Sequence, residues 1–182
     1  MVDASANAAP SLAGAASPLF LREAEVRRGV ELLYFGYSAM IRGADRILAE
    51  RGLGRAHHRA LYFIARQPGL AVSDLLRLLA ITKQSLSRVL SDLVALGLVE
   101  SRVGDFDRRQ RRLTLTAAGA ALETELFEAL RERVSSAYQQ AGQSAVTGFW
   151  AVLLGLIPPE DRGLVLSLNR AERAREAVRA AD

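Results

Sequence analysis

The sequence predicts a mainly α chain that carries one small β-hairpin. Three observations lead there. Apolar residues recur at helical spacing over most of the 182 residues. One region, residues 98–115, instead shows short alternating runs around a Gly-Asp turn. Just before it, a short helix, a turn of three or four residues and a second helix form a helix-turn-helix pattern. Half of the residues are hydrophobic, enough for a sizeable core, and the length suits one domain with extra helices.

Residues 1–18 are mostly Ala, Ser, Pro, Asn and Gly without periodicity, the composition of a disordered lead-in. Residues 22–51 read as one long helix. Val26, Val30, Leu33, Tyr37, Met40, Ala44 and Ile47 form its apolar stripe, and Leu32, Phe35, Ile41 and Leu48 widen it. The width leaves two readings open: a helix buried in its own domain, or one that also meets another subunit. Gly52 and Gly54 break the chain, and a helix follows over residues 56–66. Pro68-Gly69 signals a turn, and residues 72–79 form the short helix, with Val72, Leu75, Leu76 and Leu79 inward.

The stretch Ile81 to Glu100, ITKQSLSRVLSDLVALGLVE, organises the rest. Leu86, Val89, Leu90, Leu93 and Leu96 give it a buried stripe. Thr82 is a good N-cap, and Gly97 supplies the left-handed residue that ends it. Off the stripe lie Thr82, Lys83, Gln84, Ser87, Arg88 and Ser91, with Asp92 the only acid. A merely solvated face is usually rich in Glu and Lys pairs. This one carries hydroxyls, an amide and two cations, groups that hydrogen-bond base edges and phosphates.

The hairpin follows. Leu98-Val99 and Leu113 to Leu115 are its strands, and its long tip carries Arg108, Arg109, Arg111 and Arg112, opposed only by Asp105 and Asp107. Such a tip suits minor-groove or phosphate contact, or else keeps an edge hairpin soluble. Thr116 caps a long helix over residues 117–140 with Leu122, Leu126, Leu130, Val134 and Ala137 on its stripe, and Gly142 ends it. An apolar helix over 144–157 is stopped by Pro158-Pro159, and residues 160–180 form a last helix.

Charge and composition narrow the function classes. Lys plus Arg exceed Asp plus Glu by 24 to 20, a net charge of +4, so its location matters more than its total. The absence of Cys removes thiol redox sensing and Cys-ligated metals. The two histidines, His57 and His58, are adjacent and point about 100° apart on a helix, which does not make a metal face. No Gly-rich phosphate loop and no nucleophile–His–acid set is present, so neither catalytic residues nor a cofactor is expected. No apolar run is long enough to span a bilayer, and the early Asp3 is unlike a secretory signal, so a cytoplasmic location with no membrane partner is expected.

The stretch ITKQSLSRVLSDLVALGLVE together with DRRQRRLTLTAAG resembles the MarR family of winged helix-turn-helix transcriptional regulators over residues 22–170. Wings of that family commonly run D-x-R-D-x-R before L-T-x-x-G. Asp107 and Arg109 fall on the second D-x-R, and Leu115, Thr116 and Gly119 on L-T-x-x-G. Gly104, Asp105 and Phe106 depart from the first half.

The resemblance implies a winged helix-turn-helix domain plus a helical dimerisation layer. It divides the chain into a lead-in (1–18), an N-terminal dimerisation helix (19–54), a DNA-binding region (55–116) and C-terminal dimerisation helices (117–182). The implied partners are double-stranded DNA with a pseudo-palindromic operator, a second copy of the chain, and a small-molecule effector. Thr82, Lys83, Gln84, Ser85, Ser87 and Arg88 would meet DNA, with Arg88 suited to guanine and Gln84 to adenine, and phosphate contact equally open for each. Arg109, oriented by Asp107, would enter the minor groove, with Arg108 and Arg111 at phosphates. Tyr34, Tyr37, His57 and His58 would line an effector pocket. The alternatives are a winged helix used for protein contacts, and an enzyme.

Overall fold

The computed structural model describes residues 17–103, 110–165 and 167–168. The chain divides into two compact units, the first ending at Ala39 and the second starting at Met40. A 3₁₀ turn, Pro18–Leu21, precedes helix α1, Glu23–Ala49, which runs through the boundary. In the first unit Arg27 pairs with Glu23 one turn away, at 2.6 Å, on an open surface where such a pair contributes little. Every residue from Ser17 to Ser38 is exposed. Among them are Val26, Leu32, Phe35 and Tyr34, the last two at 75% and 71%.

The second unit holds the core. It begins with the end of α1, whose Ala44 and Leu48 are buried. Helices α2 (Arg55–Arg66), α3 (Val72–Leu79) and α4 (Lys83–Ala95) follow. Leu61, Ile64, Leu75, Leu79, Leu86 and Leu93 are all buried in one cluster that also takes in Leu122 and Leu126. The helical periodicities of four separate segments therefore converge on a single core.

The sheet has one strand more than the sequence predicts. Strand β1, Leu70–Ala71, pairs antiparallel with β3, Arg111–Leu115, which in turn pairs with β2, Val99–Val103. Leu113 is the shared position: it faces Leu70 on one side and Ser101 on the other, and it is fully buried. Two residues are too short to show alternation, which is why β1 escapes a periodicity reading. Both hairpin strands are longer than the apolar runs that announce them, because Glu100, Arg102 and Arg112 continue the ladder with outward side chains.

Leu96 is a second correction. Periodicity places it on the buried stripe of α4, yet it is 53% exposed. The helix ends at Ala95, and Leu96 is the cap residue before Gly97, whose φ of +66° turns the chain away. Val72 and Leu76, expected inward, are half-buried. Helix α5, Ala117–Leu156, is broken at Gly142, where φ is +81°, so the expected stop between two helices is present. Residues 159–165 and 167–168 are helical. The rest of the expected last helix lies outside the described residues.

Candidate nucleic-acid interface

The helix-turn-helix is built by local chemistry at its corner. Ala80 leaves α3 in a left-handed conformation, φ 50° and ψ 44°, the only non-glycine with positive φ among the described residues. Arg59 of α2 donates to the carbonyls of Leu78 and Leu79 at 3.3 and 2.8 Å, satisfying the C-terminal end of α3. Thr82 then opens α4. Its hydroxyl accepts from the Ser85 amide at 3.1 Å and donates to the Ser85 hydroxyl at 2.9 Å. Thr82 and Ser85 are thus partly committed to the cap, and the Ser85 proton remains available to an outside acceptor.

Leu86, Val89 and Leu93 anchor α4 in the core and leave its polar face outward. Lys83, Gln84, Ser87 and Arg88 are all exposed. Among the described residues none of these four side chains has a hydrogen-bond or ion-pair partner. Lys83 and Ser87, a turn apart, face the sheet. With Ser101 of β2 and Arg111 of β3 they line a concavity of about 860 Å³ floored by Leu86, Leu90 and Leu113. Arg111 is held there by a bond from its Nε to the Ser101 hydroxyl, 3.0 Å.

The neighbouring arginines behave differently. Arg112 donates to the Gly69 carbonyl at 3.1 Å, back across the sheet, and Arg102 pairs with Glu100 at 2.7 Å. Asp107, Arg108 and Arg109, expected to contact DNA from the tip, lie outside the described residues, as do Gly104, Asp105 and Phe106.

The residues considered for an effector divide between the units. Tyr34 and Tyr37, in the first, are 71% and 49% exposed. His58, in the second, is buried, and burial pushes its imidazole below the ordinary range while Asp45 pulls the other way. His57 has both ring nitrogens engaged. Nδ1 accepts from the Gly54 amide at 3.1 Å, and Nε2 lies 3.1 Å from an oxygen of Asp92. This link, 35 residues apart in sequence, has no signature in a single sequence. Nor has the Arg59 bond to α3. Among the described residues no group of three or more His, Cys, Asp or Glu side chains could hold a metal ion. No described helix is long and apolar enough to cross a membrane.

A helix-turn-helix whose second helix shows an exposed polar face, flanked by a three-stranded antiparallel sheet, is a winged helix-turn-helix. Comparison with known proteins agrees. The sequence model of the MarR family matches residues 51–110. The HTH-type transcriptional regulator PetP of Rhodobacter capsulatus is 48% identical over 159 residues, covering 87% of this chain and 96% of that protein. The crystal structure of a MarR-family transcriptional regulator from Silicibacter pomeroyi superposes with a TM-score of 0.60 at 27% identity, over 74% of this chain and 90% of that one. A mutant MarR from E. coli complexed with operator DNA gives a TM-score of 0.60 at 21% identity, over 78% of this chain and all of that one, a likeness of fold alone. The chain belongs to the MarR family of transcriptional regulators.

Proposed function

We propose that this regulator acts as a homodimer on a pseudo-palindromic DNA operator and is modulated by a small-molecule effector. The observation that carries the DNA reading is the shared concavity. Lys83 and Ser87 of α4 and Arg111 of the wing line one groove from two elements, and Gln84 and Arg88 beside it have no side-chain partner among the described residues. Cations with no carboxylate partner among the described residues, as Lys83 and Arg111 are, suit phosphate neutralisation, and the amide and guanidinium of Gln84 and Arg88 suit adenine and guanine edges. Asp107, Arg108 and Arg109 complete the reading as wing contacts. The dimer reading rests on large apolar side chains left exposed on α1, such as Val30 and Phe35, and separately on α5, such as Trp150 and Leu156.

The test is selection from a randomised duplex pool, then binding at several salt concentrations. The expected product is an inverted repeat with half-sites about 34–36 Å apart, bound with an affinity that falls steeply as salt rises. Arg88→Ala should weaken binding to the selected duplex by about 1–3 kcal/mol for each half-site and relax preference at one base pair of each. A protein that enriches no sequence from the pool would overturn the proposal.

A further inference from the structure

Helix α4 is fixed in the core by Leu86, Val89 and Leu93. Apolar contacts of that kind decide which face of the helix is buried, but they are non-directional, and a hydrogen bond to a neighbouring element adds a directional restraint on its rotation. Rotation matters for a reading helix, because its side chains must meet base edges within about 0.5 Å and 10–20°. Among the described residues, one side-chain hydrogen bond joins α4 to another element: His57 of α2 to Asp92.

The chemistry of that bond is settled by its other end. The Gly54 amide can only donate, so Nδ1 of His57 accepts and the ring proton sits on Nε2, which donates to the Asp92 carboxylate. The imidazole is well shielded, with its side chain 15% exposed, and Asp92 reaches in from the surface at 59%. One ring therefore ties the start of α2 to the flank of α4.

That flank carries part of the reading surface. Residues three and four apart share a helix face, so Ser85, Arg88 and Asp92 lie in one row, while Lys83 and Ser87 lie on the side that lines the wing groove. Asp92 is also the i+4 neighbour of Arg88 and would ordinarily attract it. With its carboxylate engaged by His57, Asp92 has no ion pair with Arg88, and the guanidinium stays outward.

We propose that His57, acting through Asp92, is a positioning residue for DNA reading: the Gly54–His57–Asp92 relay sets the rotation of α4 and keeps Arg88 free. This rests on the DNA-binding function proposed above. It gives Asp92 an effect opposite in sign to its charge. Simple electrostatics makes a carboxylate beside DNA unfavourable, so its removal should tighten binding. The relay makes Asp92→Ala weaken it.

The experiment uses the full chain and the duplex that the wild-type protein selects from a randomised pool. Binding is measured by fluorescence anisotropy well below the melting temperature, with native circular dichroism checked for each variant. His57→Ala and Asp92→Ala are each expected to weaken binding about tenfold, the scale of one hydrogen bond to a charged group. The double variant should be no weaker than either single one. Asp92→Asn, whose amide oxygen still accepts from Nε2, should bind as tightly as wild type or tighter. Nitrogen-15 spectra of the wild-type imidazole should show the Nε2–H tautomer.

If His57→Ala does not fold, the two Asp92 variants decide alone. Selection of a duplex by the wild type, together with unchanged or tighter binding by Asp92→Ala, overturns the positioning role and leaves the DNA reading intact. A wild type that selects nothing overturns both.

Discussion

Three residues show how closely the head is fitted. Thr116 caps α5 by accepting from the Gly119 amide at 3.0 Å, and its hydroxyl donates to the Gly97 carbonyl at 2.6 Å. A Cβ on Gly119 would stand 1.9 Å from the Leu98 carbonyl oxygen. The Thr-x-x-Gly spacing is thus a steric and hydrogen-bonding lock between the end of α4 and the start of α5. Gly119→Ala should lower stability by about 1–3 kcal/mol, read as a fall in melting temperature, because backbone rather than a flexible side chain must move. Ala80 is the reverse case. Its left-handed backbone suits glycine, so Ala80→Gly should stabilise the fold by up to about 1 kcal/mol in a denaturant titration.

His58 adds a pH dependence. Its folded imidazole titrates below the ordinary value of about 6.5, so below that pH the unfolded chain binds more protons and stability falls. Denaturation at about pH 5.5 should show lower stability than at about pH 7.5, and His58→Leu should shrink the difference. The Thr-x-x-Gly spacing was visible in the sequence. The left-handed Ala80 was not, since nothing in an alanine announces positive φ.

At the scale of elements, the helices were legible because each carries a full apolar period, and Gly97 and Gly142 marked real breaks. The sheet was only partly legible. Leu70–Ala71 becomes a strand because β3 offers Leu113 an unpaired edge, a fact of tertiary placement rather than of local pattern. The arginines of the wing were equally hard to separate, since a sequence shows how many cations a hairpin has but not which are tethered. The structure divides two adjacent ones. Arg112 is bonded away from the groove to the Gly69 carbonyl, whereas Arg111, bonded to the Ser101 hydroxyl, is held in the groove with Lys83. Arg111→Ala is therefore expected to reduce the slope of log affinity against log salt by about two, the loss of one phosphate contact in each of the two heads. Arg112→Ala should leave that slope unchanged and act on thermal stability instead. A wild-type slope for Arg111→Ala would mean that Arg111 makes no phosphate contact.

For the whole molecule, the breadth of the apolar face on α1 was apparent from residue spacing alone, but spacing left open whether this chain or a second copy covers it. The exposure of Phe35 at 75% and Leu32 at 64% favours the second copy. Burying a side chain of this size contributes about 1.5–3 kcal/mol, and a two-fold interface counts it twice. Phe35→Ala should then weaken self-association by about 3–6 kcal/mol, a change that sedimentation equilibrium resolves as a shift from dimer toward monomer. Phe35 lies outside the second unit, whose core begins with Ile41, so the variant should retain the helical circular dichroism of the reading head. Its DNA binding separates the two levels of organisation. A monomer keeps one head, so it should still contact DNA, but with about half the wild-type salt slope, because half the phosphate contacts remain. It should also show no preference for an inverted repeat over a single half-site. A Phe35→Ala protein that sediments as the wild type does and keeps its full salt slope would show that the exposed face of α1 is not where the two copies meet.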